Sequence, residues 1–297
     1  MKRCALIISL MIGALCLPVF AEDTPGRSFL ENLLVDKGFD RPFVDEMLND
    51  PRLYYDNEII IKNLYQPKEA PQPAQKRAAT EKRPTLYIDA KYIDLGREFM
   101  KDQEELLTLL EYQYGVSPGA VTAILIVESK LGKYYEKYYA FNALLNLAAC
   151  IDPDYLSIVI ESNKEKYPEL ADDATALWAI KKGEWALNEL CELMKLARAI
   201  DMDPFEIKGS YAGAIGPAQF IPSSFLKIGI DGDFDGVRDP FNMTDAMASI
   251  ANYLKLAGWD EEAGEERLRK AIWQYNHSQV YVNTVMMLYQ ELSKGRE

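Results

Sequence analysis

From Val121 the chain runs through Thr122, Ala123, Ile124, Leu125, Ile126 and Val127 without a charge, and then places Glu128. The run is framed as a helix. Ser117 stands at its cap, Pro118 takes the first position, where a missing N–H costs nothing, and Gly132 follows as a stop. At about 100° per residue, Val121, Ile124 and Leu125 fall within roughly 60° of Glu128, so the carboxyl lies on the apolar stripe. Burial disfavours the charged form of a carboxyl. Glu128 is therefore expected to keep its proton above the ordinary glutamate range and to be able to donate it near neutral pH, as a general acid does. The competing reading is a solvated surface glutamate on a helix whose apolar face points elsewhere.

The remaining periodicity is also helical. Residues 28–49 place Phe29, Leu30, Leu33, Leu34, Phe43, Val44, Met47 and Leu48 at helical spacing, with a break at Gly38 and an end at Asp50 and Pro51. Residues 66–85 carry Pro67, Pro71, Pro73 and Pro84 among Lys, Gln and Ala, the composition of a linker or loop. Beyond it, residues 95–114 read as one long amphipathic helix closed by Gly115, and residues 185–199, 244–256 and 265–292, the last broken near His277, are helical too. The best strand-like alternation is short and spans 87–92. With roughly 210 residues after the linker, the chain can bury one substantial core. The expectation is a mainly α protein: a helical domain over 86–297, a small N-terminal helical segment over 22–65, and the linker between them.

The first residues say where such a domain would work. Lys2 and Arg3 precede an apolar run that falls short of the roughly 20 residues of a membrane span, and Val19, Phe20 and Ala21 resemble a cleavage site. Residues 1–21 thus read as a signal peptide and the protein as periplasmic or otherwise exported, and soluble after cleavage; an uncleaved anchor is the alternative. Leu15 stands before Cys16 where lipid attachment wants a small residue, and no other segment is apolar enough to cross a bilayer. Losing Lys2 and Arg3 takes the formal charge from -13 to -15. Such a chain is not built for nucleic acid or anionic lipid, and protein partners stay unknown. The single His277 disposes of most zinc chemistry, and no Gly-x-Ser-x-Gly elbow is present. Export leaves Cys150 and Cys191 in an oxidising compartment, where a disulfide and two free buried thiols are both open.

Three further stretches carry chemistry. The loop over 209–224 is rich in glycine and small residues, so backbone can come close to a ligand while Ser210 and Gln219 offer directional hydrogen bonds. Trp273, Gln274, Tyr275, Asn276, His277, Ser278 and Tyr281 put aromatics beside amides, the kind of surface that stacks on sugars and bonds their hydroxyls; Tyr134, Tyr135, Tyr138 and Tyr139 could do the same, and core packing is the alternative for each. Residues 231–242 fit a twelve-residue calcium loop: Asp231, Asp233 and Asp235 at positions one, three and five, Gly236 at six, the Val237 carbonyl at seven, Asp239 at nine. Asn242 stands at twelve, where a bidentate glutamate is usual, so binding should be weak, roughly 0.1 to 1 mM. An acidic turn without an ion is the alternative.

Four motifs in order then resemble the lytic transglycosylase B family: Glu128-Ser129 at the end of an apolar helix, the loop from Gly213 to Ser224, Ala251-Asn252-Tyr253, and Tyr275-Asn276-His277-Ser278. The resemblance runs over about 95–292, more weakly over the N-terminal helices. It implies a lysozyme-like fold and cleavage of bacterial peptidoglycan. Residue by residue it implies Glu128 as the one catalytic acid, Ser210 and Gln219 lining the sugar site, Tyr253, Tyr275 and Tyr281 as cleft aromatics, and Asn276 holding the sugar or the loop. It implies a structural calcium site at 231–242 and no cofactor for catalysis. In such a reaction Glu128 protonates the β-1,4 bond between N-acetylmuramic acid and N-acetylglucosamine, then takes the proton from the C6 hydroxyl, giving a 1,6-anhydro sugar. The chain departs from the family twice: residues 163–182 look inserted, and Ile151-Asp152-Pro153-Asp154 stands where a tyrosine and paired arginines are expected. Lost basic residues leave open what holds an anionic stem peptide or lactyl group. New acidic ones leave open a hydrolytic muramidase with Asp152 or Asp154 as second carboxylate, beside a non-catalytic, calcium-stabilised wall-binding module.

Overall fold

A computed structural model of the chain describes residues 26–64, 89–134 and 137–294. The expected signal peptide at 1–21 and the proline-rich stretch at 66–85 lie outside the described residues. The described chain is mainly α, with one two-stranded antiparallel ladder, β1 (Tyr138–Tyr139) on β2 (Lys208–Gly209).

The N-terminal pair is α1 (Arg27–Asp36) and α2 (Arg41–Leu48), separated at Gly38, and a third helix, α3 (Asn57–Leu64), follows. The segment between α2 and α3 is tied to α7 (Ala140–Ala148) by two buried asparagines one turn apart. Asn142 Oδ1 accepts from Tyr54 N–H at 3.0 Å, and Asn146 accepts from Asp56 N–H at 2.8 Å while donating to Tyr54 C=O at 2.9 Å. These amides give an extended segment the partners a neighbouring strand would have supplied.

The single helix expected over 95–114 is two, α4 (Lys91–Asp102) and α5 (Glu104–Tyr114), interrupted at Gln103, whose φ of -109° and ψ of 22° leave the helical region. Glu104 and Glu105 open the second one, where acidic side chains favour a helix start. Gly115 closes it in the left-handed conformation, φ 67°. The strand-like alternation at 87–92 is overturned from Asp89 on: the Asp89 carboxylate accepts from Lys91 N–H at 3.0 Å and starts a helix that already contains Tyr92. That local side-chain-to-backbone bond outweighs the alternation of side chains.

At the centre lies α6 (Pro118–Ser129), buried from Pro118 to Ile126 and packed between α4 and α13 (Gln279–Ser293). Burial of Val121, Ile124, Leu125 and Ile126 stabilises by about 1.5–3 kcal/mol each. Gly96 lets α4 approach: a Cβ there would stand 2.9 Å from both Ile126 Cδ1 and Leu292 Cδ2.

After α8 (Pro153–Asn163), the helix expected from Trp185 starts twelve residues earlier, as α9 (Asp173–Ala199), capped by Asp172, which accepts from Ala174 N–H at 3.1 Å. The stretch 163–182 therefore holds a short 3-10 turn at Pro168–Ala171 and the first turns of α9, where Leu177 and Trp178 are exposed and so blur the periodicity. The last helices are α10 (Pro222–Ile228), α11 (Met243–Leu256), α12 (Glu265–Tyr275) and α13, with the expected break at Asn276 to Ser278. Cys150 and Cys191 are both buried and free rather than bridged, and burial pushes the Cys150 thiol up to about 12.

Candidate active site

The end of α6 is held by an unusual turn. Lys130, Leu131 and Gly132 all have positive φ, at 54°, 61° and 74°. Two non-glycine residues in that region cost about 1–2 kcal/mol each, offset by backbone bonds from Lys130 N–H to Ile126 O and from Leu131 N–H to Leu125 O at 3.2 and 3.0 Å. Ser129 locks the turn, accepting from Gly132 N–H at 2.9 Å and donating to Leu125 O at 3.4 Å. Lys130 Nζ donates to the last carbonyls, Ile126 O at 3.1 Å and Val127 O at 3.4 Å, as a cation at a helix C-terminus should. Burial lowers the Lys130 pKa, against the pull of the Glu128 charge.

Glu128 sits half-buried on the final turn. The Tyr281 hydroxyl, on the first turn of α13, donates to its Oε1 at 2.6 Å. Tyr275 stacks on Tyr281 at 6.3 Å between ring centroids and 6° between planes, and meets Tyr253 at 4.9 Å and Phe220 at 5.4 Å. Burial, and then the Glu128 charge, hold both the Tyr275 and Tyr281 hydroxyls well above the ordinary phenol range, so they remain neutral donors. Tyr275 donates to Ala218 O at 2.6 Å and Tyr253 to Gln274 O at 2.5 Å, which ties the 213–224 loop to the aromatic cluster.

That loop is built on tight turns. Ser210 Oγ accepts from Ala212 and Ala214 N–H at 3.2 and 3.0 Å, so it shapes the loop. Gln219 is left-handed, φ 51°, with its side-chain amide on Gly216 O at 2.9 Å. At Gly216, φ 70°, a Cβ would lie 2.1 Å from Pro240 O, a contact that glycine alone permits. A cleft of about 210 Å³ opens here, walled by Ser129, Gly132 and Tyr134, by Lys208, by Gly216, Pro217 and Gln219, and by Phe241 and Met243. The structure thus brings Glu128, Tyr281, Tyr275 and Tyr253 into one contiguous set, and Gln219 lines the cleft together with Ser129, the residue after Glu128. Asn276 stands exposed at the end of α12. Asp152 and Asp154 belong to the start of α8, where Asp152 accepts from Asp154 N–H at 2.9 Å as the helix cap.

The acidic loop departs from the twelve-residue pattern at its last position. Asn242 uses its oxygen to cap α11, accepting from Thr244 N–H at 2.8 Å, and its amide donates to Asp233 at 2.7 Å. Asp245, three residues on, points inward instead. Asp231, Asp233 and Asp245 bring carboxylate oxygens within 4.8 Å of one another. Asp231 Oδ1 is buried with no hydrogen-bond partner, and burial pushes the Asp245 pKa up although Gly232 and Asp239 N–H both donate to it at 2.7 Å. Converging carboxylates, one of them with an orphaned oxygen, fit a hard divalent cation. Asp235 and Asp239 bond Val237 and Phe241 N–H at 2.8 Å each, and the Val237 side chain is exposed.

Three residues escaped the sequence reading. Asp245 lies outside the twelve-residue window. Lys208 gave no signal, since only the β1–β2 ladder brings it to the cleft. Glu189 carries the same signature as Glu128, an acid among the apolar residues of a helix, but its oxygens accept from Ser223 N–H at 2.9 Å and Ser223 Oγ at 2.7 Å, closing the start of α10 where Ile221 provides no side-chain cap.

Comparison with known proteins bears on the family and the fold. The family described as "Transglycosylase SLT domain" matches residues 23–269. The chain is 26% identical to the membrane-bound lytic murein transglycosylase B of Escherichia coli (strain K12) over 240 residues, which is 81% of this chain but 59% of that relative's length. In structure it is similar to the E. coli lytic transglycosylase SLT35 in complex with calcium (TM-score 0.67, 22% identity, 92% of this chain and 94% of that one). It is also similar to the soluble lytic transglycosylase SltB1 of Pseudomonas aeruginosa (TM-score 0.67, 23% identity, 92% and 99%). A third likeness is to SltB3 of P. aeruginosa in complex with NAG-NAM-pentapeptide (TM-score 0.65, 20% identity, 91% and 79%). The structural likenesses establish a shared fold, the lysozyme-like fold of lytic transglycosylases, and the family match covers most of the sequence: this chain belongs to the transglycosylase SLT domain family.

Proposed function

We propose that this protein is an exported lytic transglycosylase that cleaves the β-1,4 bond between N-acetylmuramic acid and N-acetylglucosamine in peptidoglycan and leaves a 1,6-anhydro end. The observation that carries the reading is Glu128, at the end of a buried helix beside a sugar-sized cleft, with a neutral phenol donating to its carboxyl at 2.6 Å. Glu128 gives its proton to the bridging oxygen. As the bond breaks, the new carboxylate is stabilised by the Tyr281 hydroxyl, and it then accepts the proton of the sugar's C6 hydroxyl as that oxygen closes on the anomeric carbon. Gln219 and Ser210 bond the sugar, the faces of Tyr253 and Tyr275 support it, and Asn276 holds the loop edge. One carboxyl is enough, which fits the capping role of Asp152.

Digestion of purified peptidoglycan with product mass analysis tests this. Wild type should release anhydro ends, and Glu128→Gln should release at least about 100-fold fewer, because the amide keeps the shape but has no transferable proton. Products heavier by one water per cut would establish a hydrolytic muramidase instead, and equal release by the Gln variant would remove Glu128 from the chemistry.

Asp231, Asp233 and Asp245 would hold calcium, with Asp235, the Val237 carbonyl, Asp239 and Asn242 shaping the loop around it. A bound ion neutralises the carboxylates and fixes the loop; the bond cleavage needs no cofactor. Export rests on the N-terminal sequence, and among the described residues no single helix is long and apolar enough to cross a membrane.

A further inference from the structure

The cleft beside Glu128 carries a positive charge that bond cleavage does not use. Among the described residues lining it, Lys208 alone bears a charge, in a chain whose formal charge is -13. Its position is set by backbone: Lys208 pairs with Tyr139 in the β1–β2 ladder, and Ala140 N–H donates to Ile207 O at 2.8 Å just beside it. The ammonium lies 6.0 Å from the Tyr139 ring centroid, the outer range of a cation–π contact. It takes part in no ion pair among the described residues. Tyr134 lines the same cleft with its side chain 54% exposed. An open aromatic face and an unpaired ammonium in one cleft are the pair of groups that recognises a sugar bearing an acid.

We infer that Lys208 is a specificity residue that binds the carboxylate carried on the muramic acid ring, whether the lactyl carboxylate of a bare strand or a carboxylate of the stem peptide. The inference rests on the peptidoglycan reading of this cleft. Lys208 supplies the basic group whose absence at 151–154 left the acidic substituent without a partner, and as the one charged residue among those lining the cleft it favours an anionic over a neutral sugar there.

Binding tests this without turnover. In the full chain carrying Glu128→Gln, calorimetry measures the affinity for peptide-free glycan strands, peptide-bearing strands and neutral chitohexaose. Adding Lys208→Gln should lower the ratio of anionic to neutral affinity about ten-fold at low salt, with Lys208→Arg keeping most of it and added salt narrowing the gap. A fall confined to peptide-free strands identifies the lactyl carboxylate, and one confined to peptide-bearing strands the stem peptide. A ratio within about two-fold of the parent's on both strands overturns the inference, as does a parent with no preference for either anionic strand, or an equal loss on chitohexaose. Failure of the catalytic reading looks different: the chain with Glu128 intact would leave every strand uncut.

Discussion

Replacing Tyr281 with Phe removes one oxygen, the donor that stands 2.6 Å from Glu128 Oε1. The ring is buried, 4% exposed, and stacked on Tyr275, so Phe keeps the packing. A hydrogen bond to a charged group contributes about 1.5–3 kcal/mol. Glu128 becomes fully charged only after it has given its proton away, so this contribution falls on the transition state more than on the bound substrate. The expected result is a kcat lower by about 10- to 150-fold with KM little changed. The pH dependence has a defined sign. A donor to a carboxylate favours its ionised form, so without Tyr281 the acid keeps its proton to higher pH and the alkaline limb of the rate profile moves up. The phenol itself does not titrate in the assay range, because burial and the Glu128 charge both raise its pKa. Initial rates of anhydro-product release across pH, with a melting curve for each variant, decide the matter. A rate within about two-fold of wild type, or an unmoved alkaline limb, refutes the assignment of Tyr281 to the developing charge.

Asn146→Ala leaves Asp56 N–H and Tyr54 C=O without their buried partner and should cost about 2–4 kcal/mol in chemical denaturation, whereas Ala at exposed Asn188 should cost under about 0.5. Calcium at about 100 times its dissociation constant should add about 2.7 kcal/mol of stability, and Asp245→Asn should abolish most of that gain. The gain should also grow with pH: burial raises the folded-state pKa of Asp245, so its destabilising effect in the ion-free protein is absent below the ordinary value of 3.8 and sets in as pH rises through the raised one. Gly236→Ala, at φ 94° with nothing within 4 Å of the new Cβ, should cost about 1–2 kcal/mol. Gly216→Ala, aimed at Pro240 O, should cost more and lower activity as well; equal losses in the two melting curves would mean that the loop yields without consequence for the cleft.

The central helix and its acid were legible because everything that specifies them is local: a cap residue, a proline at the first position, an unbroken apolar run, and Glu128 at its end. The helix breaks at Gly38 and near His277 could be read for the same reason. What stayed hidden depends on partners distant in sequence. Lys208 reaches the cleft through a two-residue ladder to Tyr139, too short to leave a period-two pattern. The first turns of α9 leave Leu177 and Trp178 exposed, so apolar residues there do not mark a single buried stripe and the Asp172 cap is what sets the start. The twelve-residue pattern ends at Asn242, whereas in the fold Asn242 caps the helix that follows and that helix turns Asp245 inward beside Asp231 and Asp233, a placement no local pattern gives.

Glu128, Glu189 and Asp245 show why one signature leads to three outcomes. Each is an acid set among the apolar residues of a helix. Glu189 meets the amide and hydroxyl of Ser223 at the start of another helix, a pair of donors that commits both of its oxygens to capping that helix. Asp245 meets two loop amides and two further carboxylates, so donors are few for the negative charge and a cation would complete the set. Glu128 meets a phenol that can donate but that stays neutral, at a helix C-terminus whose dipole opposes an anion, next to open volume. If Glu128 is the acid proposed above, it must lose a proton and regain it within one turnover, and the neighbour across the fold that meets both states is Tyr281.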